Sequence, residues 1–473
     1  MKSHLLLLIF LMLKQPLKRY HHLKMKWLES FSAAMEMRKC RTGILLFMVI
    51  YFIIAIFNTI PPNTKMVIPK PKRFSQPILP FLTSQESITP LINTKHFLVS
   101  AFMDQRRKDF DIRIIGIFKR NSIQPLYCFF YCGEFFNETT SASVQLHFAH
   151  FNYPYGPADV LCRMPENCSA THVTLLTQPS PDNISDHLWL PIRNKKNPNE
   201  ERLNFTVCIS TLYGDYNNVL QFAQTLEVYK LLGVNRVVIY NTSCGPELDR
   251  LLTGYSQEGF VEMVQWPINK YLNPSRGWRF QVHKGDLQYF GQIVTLNECV
   301  YRSMERSRYV VLGDIDEIAM PYKHNNLNSL MAMLQRKHPK VAEFSLESHV
   351  FPHSYFDPSG RFSLPQWRNV SGINILEHIY REDPDRKMFL HFKMIVQPKL
   401  VEQTSVHDVP KKFGVKYRVP WNLCRFIHIH VARRTSLMLE ELKEDKRLWD
   451  FQEKLIPNVD KALQRAGLLT TES

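Results

Sequence analysis

Residues Gly43–Ile60 read GILLFMVIYFIIAIFNTI, eighteen residues without a charge. No other feature constrains the chain as much. At 1.5 Å per residue such a run spans most of a ~30 Å hydrocarbon core. Arg38, Lys39 and Arg41 stand just before it, and the stretch from Lys14 to Arg41 holds eight basic residues against Glu29 and Glu36. Positive charge keeps its side of a membrane segment in the cytosol. The expected arrangement is a basic cytosolic tail (1–42), a transmembrane signal-anchor (43–60) and a large lumenal body, as in a single-pass type II membrane protein. A second apolar run, Leu5–Leu13, is too short to span and lacks a small-residue cleavage site after it, so it is assigned to the tail.

Charge placement removes one class of function. The formal net charge of +16 suggests a nucleic-acid partner until it is mapped. Residues 1–73 hold 13 Lys/Arg and 2 Asp/Glu, or +11, leaving only +5 for the remaining 400 residues. The basic excess therefore concerns topology, and no nucleic-acid partner is expected. Six N-x-S/T sequons, at Asn137, Asn167, Asn183, Asn204, Asn241 and Asn369, all follow the apolar run. So do eight of the nine cysteines, which are expected to form disulfides in an oxidising lumen.

Residues 61–95 form a Pro-rich stem with Pro61, Pro62, Pro69, Pro71, Pro77, Pro80 and Pro90. Over 96–200 the segments His96–Ala101, Ile112–Phe118, Leu126–Tyr131 and Ser143–Ala149 are rich in β-branched and aromatic residues, which predicts a β-rich subdomain. From 201 to 440 the period changes. Apolar strands at Phe205–Ser210, Arg236–Tyr240, Val261–Trp266 and Tyr309–Leu312 alternate with helical patterns at Asn217–Leu232, Pro246–Gln257 and Asp286–Ser307. Such alternation predicts an α/β, Rossmann-like, doubly wound parallel sheet, with ligands beyond the carboxyl ends of its strands. A helical segment (441–473) closes the chain.

The fourth strand runs into Gly313-Asp314-Ile315-Asp316-Glu317. Asp314 and Asp316, two residues apart at a strand end, can address one divalent cation and the ribose or diphosphate of a nucleotide. Carboxylate oxygens suit Mn²⁺ or Mg²⁺, and the cation would offset charge on a diphosphate leaving group. A solvated turn and a metal-dependent hydrolase are the competing readings.

From about Leu98 to Arg434 the chain resembles glycosyltransferase family 92. The resemblance rests on Val99-Ser100-Ala101-Phe102, Cys208-Ile209-Ser210 with Tyr213-Gly214, Tyr229-Lys230-Leu231-Leu232-Gly233-Val234, and His283-Lys284-Gly285-Asp286 running into Gln292 and Asn297. It continues through Asp314-Ile315-Asp316-Glu317, Lys393-Met394-Ile395-Val396-Gln397-Pro398 and Val406-His407. It implies a GT-A-type catalytic domain and inverting transfer of galactose from UDP-galactose to a glycan of a glycoprotein or glycolipid, with Mn²⁺. It carries the Asp-x-Asp role onto Asp314 and Asp316. Where the family closes with a His-Tyr-Arg-like element, this chain has His428-Ile429-His430-Val431-Ala432-Arg433, so that role is not tied to one histidine.

His407 is a candidate third metal ligand, set against a structural histidine. Asp286, opening the long helix, is read first as its cap and second as a contact to nucleotide or acceptor. An inverting transfer needs a base for the acceptor hydroxyl; Glu347 and Glu377 are the leading candidates, with Asp383 behind them. Tyr355, Phe356, Trp367 and Trp421 are candidates for stacking on sugars. A non-catalytic, membrane-bound glycan-binding protein on the same fold is the alternative function.

Overall fold

The computed structural model describes residues 81–469, apart from 82, 134, 137–138, 181–186, 196–200, 385–391 and 435–436. The chain divides into two compact units, Met1–Arg73 and Phe74–Ser473, and every described residue belongs to the second. The expected tail and anchor, and most of the stem, lie outside the described residues. Among the described residues no helix is long and apolar enough to cross a membrane.

The N-terminal part is a sheet built largely of antiparallel strands. Its central strands are Phe97–Met103, Ile112–Lys119 and Tyr155–Cys162, where the expected β-rich pattern placed two of them. Disulfides Cys128–Cys162 and Cys132–Cys168 tie it internally.

The second sheet holds the strands β1 (Leu203–Leu212), β2 (Arg236–Asn241), β3 (Val261–Gln265), β4 (Ser307–Leu312), β5 (Glu317–Pro321), β6 (Val341–Pro352), β7 (Phe392–Val396) and β8 (Cys424–His430). Their order is β3-β2-β1-β4-β7-β6-β8-β5. The first four are parallel, as the strand–helix alternation requires. Beyond β4 the sheet becomes mixed. β7 runs antiparallel to both β4 and β6, and β5 antiparallel to β8, while β6 and β8 are parallel. A wholly parallel sheet is thus corrected to a mixed α/β sheet. The chain turns within four residues after β4 and has no helix with which to cross over.

Helices α1 (Val219–Leu231), α2 (Pro246–Gln257), α3 (Gln292–Ser303), α4 (Leu327–Lys337) and α5 (Gln452–Arg465) cover the sheet. Helix α1 is buried on every side, so its polar residues are paired inside. Gln224 donates to Asn374 Oδ1 at 2.7 Å, and Glu227 Oε1 accepts from Tyr255 and Lys230 at 2.8 and 3.0 Å. Leu455, Val459, Ala462 and Leu463 of α5 join the same core. Helix α3 lies between the two sheets. Its Val294, Cys299 and Tyr301 share a core with Val99, Phe102, Ile115 and Ile117, and Cys299 bonds to Cys208 of β1. A polar seam runs beside this core. Buried Arg113 meets Asp104 at 3.0 Å and Asp159 at 2.5 Å, and Gln403 donates to Asp159 at 3.1 Å. Of the eight cysteines beyond the apolar run, six pair and Cys244 and Cys424 are free thiols.

The helix expected from Asp286 begins six residues later. Tyr289 and Phe290 adopt left-handed backbone, φ 43° and 53°, before Gly291 at φ 80° opens α3. Asp286 is therefore no cap of α3. Its carboxylate accepts the Asn273 N–H at 2.9 Å and holds the preceding loop.

Candidate active site

Strands β1 and β4 end side by side, and a cleft of about 690 Å³ opens beyond their carboxyl ends. Asp314, Asp316 and Glu317 lie on its floor. Glu317 is nearly dry, its side chain 1% exposed, yet fully engaged. Its Oε2 accepts the Asp314 N–H at 3.0 Å and faces Lys393 Nζ at 2.9 Å; its Oε1 accepts from Ser348 at 3.3 Å. Lys393 also reaches Asp314 Oδ2 at 2.8 Å. Burial disfavours the Lys393 charge, but Asp314 and Glu317 outweigh it and raise its pKa well above the usual lysine range. Burial likewise pushes the Asp314 carboxyl up, and Lys393 overrides it, so Asp314 is held below the ordinary range. Gln292, in the first turn of α3, donates to Asp314 Oδ1 at 3.5 Å.

Antiparallel pairing of β5 with β8 sets Glu317 opposite His428. Two residues on, His430 projects from the same strand face. The Ile429 N–H donates to the Asp316 carbonyl at 3.0 Å, which brings Asp316 beside both rings. His428 Nε2 lies 3.2 Å from Asp316 Oδ2. Among the described residues, Asp316, His428 and His430 form a group whose donor atoms all fall within 4.8 Å of one another. One carboxylate and two imidazoles suit a divalent first-row cation such as Mn²⁺ better than Ca²⁺, which takes oxygen ligands. Of the two cations that the Asp-x-Asp motif implies, these residues could hold Mn²⁺ and suit Mg²⁺ poorly. Burial opposes charging of His428, but Glu317 and Asp316 outweigh it and raise its pKa.

The expected site residues separate into two groups. Asp314, Asp316 and His407 line the cleft. His407 is not in the compact donor group; its Nδ1 lies 2.9 Å from the Phe392 carbonyl. Burial, then Lys393, lowers its pKa. Asp286, Glu347 and Glu377 do not line the cleft. β6 continues through Glu347 to Pro352, and alternation turns Glu347 away from the cleft-lining Ser348, toward His349 Nε2 at 3.4 Å. Glu377 ends a short 3₁₀ turn at Ile375–Glu377. None of Tyr355, Phe356, Trp367 and Trp421 lines the cleft; Trp367 is buried and donates to Asp460 Oδ1 at 2.6 Å. His428, His430, Lys393 and Arg433 are cleft residues that the sequence shows only as members of motifs.

The family assignment accords with this arrangement. The glycosyltransferase family 92 profile matches residues 204–465, more than half of the chain, and the chain belongs to that family. The glycosyltransferase family 92 protein F13G3.3 of Caenorhabditis elegans is 26% identical over 243 residues, 51% of this chain and 45% of the relative. The β-1,4-galactosyltransferase galt-1 of Caenorhabditis elegans is 23% identical over 128 residues, 26% of this chain and 27% of the relative. The matches thus span less than half the length of these curated relatives. Among solved structures, glucosyl-3-phosphoglycerate synthase of Mycobacterium tuberculosis matches 57% of this chain and 82% of its own at 11% identity, with a TM-score of 0.25.

Proposed function

We propose that this protein is a metal-dependent glycosyltransferase with a GT-A-type catalytic unit, transferring galactose from UDP-galactose with inversion to a glycan of a glycoprotein or glycolipid. We place it in the Golgi membrane as a single-pass type II protein, with the described residues lumenal. The observation that carries the catalytic reading is the gathering of Asp314, Asp316, His428 and His430 at the end of β4 in one cleft. The galactose donor is suggested by the relative named a β-1,4-galactosyltransferase.

In this reading Asp316, His428 and His430 hold the cation, with Asp314 beside them toward the nucleotide. When bound, a divalent cation supplies positive charge to the diphosphate leaving group. Arg433 adds a fixed cation on the cleft wall. Lys393 offsets one of the two charges of Asp314 and Glu317, so the floor repels a diphosphate less than three free carboxylates would. The acceptor hydroxyl oxygen attacks the anomeric carbon as the bond to the diphosphate breaks, and its proton needs a base. Since Glu347 and Glu377 lie outside the cleft, we assign this role to His407. Its Nδ1–H is directed at the Phe392 carbonyl, and the depressed pKa keeps Nε2 as a lone-pair acceptor at neutral pH.

The test is release of UDP and labelling of a glycan array by UDP-galactose with Mn²⁺, for the wild type and Asp316→Ala at matched folding. Loss of both signals in the variant is expected. A folded wild type that binds glycans but turns over no donor would favour the glycan-binding alternative.

A further inference from the structure

The family match begins at residue 204, yet the N-terminal sheet reaches the cleft. Phe151, from the turn before strand Tyr155–Cys162, lines it together with Trp278 from the loop before α3. The two rings meet edge to face, centroids 6.4 Å apart at 72°. Trp278 is 42% exposed and Phe151 is half-buried. Apolar rings left in water at a cleft mouth lose the burial energy that a core position would give them, so their placement calls for a reason.

The surrounding structure holds these rings in place. The hydroxyl of fully buried Tyr153 and that of Ser275 lie 2.8 Å apart, and their two protons serve the Gly277 and His283 carbonyls, 2.9 and 2.8 Å from the Tyr153 oxygen. Tyr153 thereby pins the loop that carries Trp278 to the turn that carries Phe151. Gly277 packs so closely on the His283 ring that an added Cβ would stand 2.4 Å from Nδ1. Arg279 lies over the Trp278 ring at 4.6 Å. Phe151 and Asn152 both adopt left-handed backbone, φ 49° and 64°; an asparagine takes it readily, whereas a phenylalanine keeps it when neighbours enforce it.

We infer that Phe151 and Trp278 form the acceptor subsite of this cleft, a stacking platform for a sugar ring of the acceptor glycan, with the N-terminal sheet supplying half of it. The inference rests on the glycosyltransferase reading above. Charged groups, Asp314, Asp316, Lys393 and the two histidines, occupy the floor and match a nucleotide diphosphate. The aromatic pair offers a face that matches the apolar C–H face of a sugar; Tyr213, Tyr216, Tyr289 and Phe392 line the cleft as well.

The test uses the purified full-length protein, a glycan array of glycoprotein- and glycolipid-type oligosaccharides probed with Mn²⁺ and UDP, and transfer kinetics on the best acceptor found. Trp278→Ala and Phe151→Ala are expected to weaken array binding and raise the acceptor KM about tenfold, with the donor KM held. Trp278→Phe should recover most of the loss. Phe356→Ala, an exposed aromatic outside the cleft, is the control and should behave as the wild type. An acceptor KM for both alanine variants within about twofold of the wild type overturns the subsite, as does a donor KM that rises in step. Array binding lost in Trp278→Ala while the wild type turns over no donor would leave the subsite standing and remove the transferase reading. Normal transfer by both alanine variants would do the reverse.

Discussion

Lys393→Met removes the cation that the floor of the cleft is built around. Its Nζ lies 2.8 Å from Asp314 and 2.9 Å from Glu317. At an effective dielectric near 20, each contact is worth about 6 kcal/mol of attraction. Desolvating a lysine that is only 6% exposed cancels much of that. The two partners then respond differently. Asp314, 39% exposed, can be hydrated by cleft water and should contribute little. Glu317 has no such access and would keep a buried charge with only His428, 3.5 Å from its Oε1, beside it, leaving a loss of about 3 kcal/mol for the single variant. Glu317→Gln in the same chain removes that charge, so the double variant should recover about 2 kcal/mol of coupling. Urea unfolding followed by fluorescence reads this as a midpoint shift at constant slope. A single-variant loss below about 0.5 kcal/mol, or strictly additive losses in the cycle, would refute the argument that Lys393 offsets a buried carboxylate.

Three further outcomes are expected. Asp159→Asn removes one of the buried carboxylates that meet Arg113 and leaves Asp104 in place, and should cost about 2 kcal/mol in urea unfolding. Burial raises the Asp159 pKa, but His147 and Arg113 override it and depress it, so its stabilisation is full above the unfolded value of ~3.9 and is lost as pH falls toward the folded one; the wild type should weaken in acid more than the variant does. His407→Gln should lower kcat about 100-fold with the donor KM unchanged, and should remove the acid limb of the pH–rate profile, which in the wild type lies below the ordinary histidine value of ~6.5. Glu347→Gln and Glu377→Gln should each keep transfer rates within about threefold of the wild type, measured by UDP release, because neither side chain lines the cleft.

The acidic pair was legible because a four-residue apolar strand runs directly into it, and strand ends are where α/β sheets place ligands. The parallel half of the sheet was legible for a related reason: strand and helix alternate there within short range. The mixed half was not. β7, β6, β8 and β5 pair out of sequence order, and the contact of Asp316 with His428 spans 112 residues. Cys424–His430 reads CRFIHIH, whose alternation does put both histidines on one face, but nothing local says what that face meets. Asp286 was misplaced because the helical pattern begins before the helix does; only Gly291 marks the left-handed entry at Tyr289 and Phe290. The apolar run Val341–Leu346 suggests a strand ending at Glu347, whereas β6 runs five residues further and alternation fixes the direction of that side chain. Phe151 and Trp278 carry no sequence signal at all, since one belongs to each sheet's loops.

The most direct test of the account is a donor screen. The purified protein is given each common nucleotide sugar in turn with a glycan array, with Mn²⁺ and with a chelator. Transfer from UDP-galactose is expected, abolished by the chelator and by His428→Ala at intact folding. Transfer that is indifferent to the chelator, or none from any nucleotide sugar by a folded protein, would contradict it.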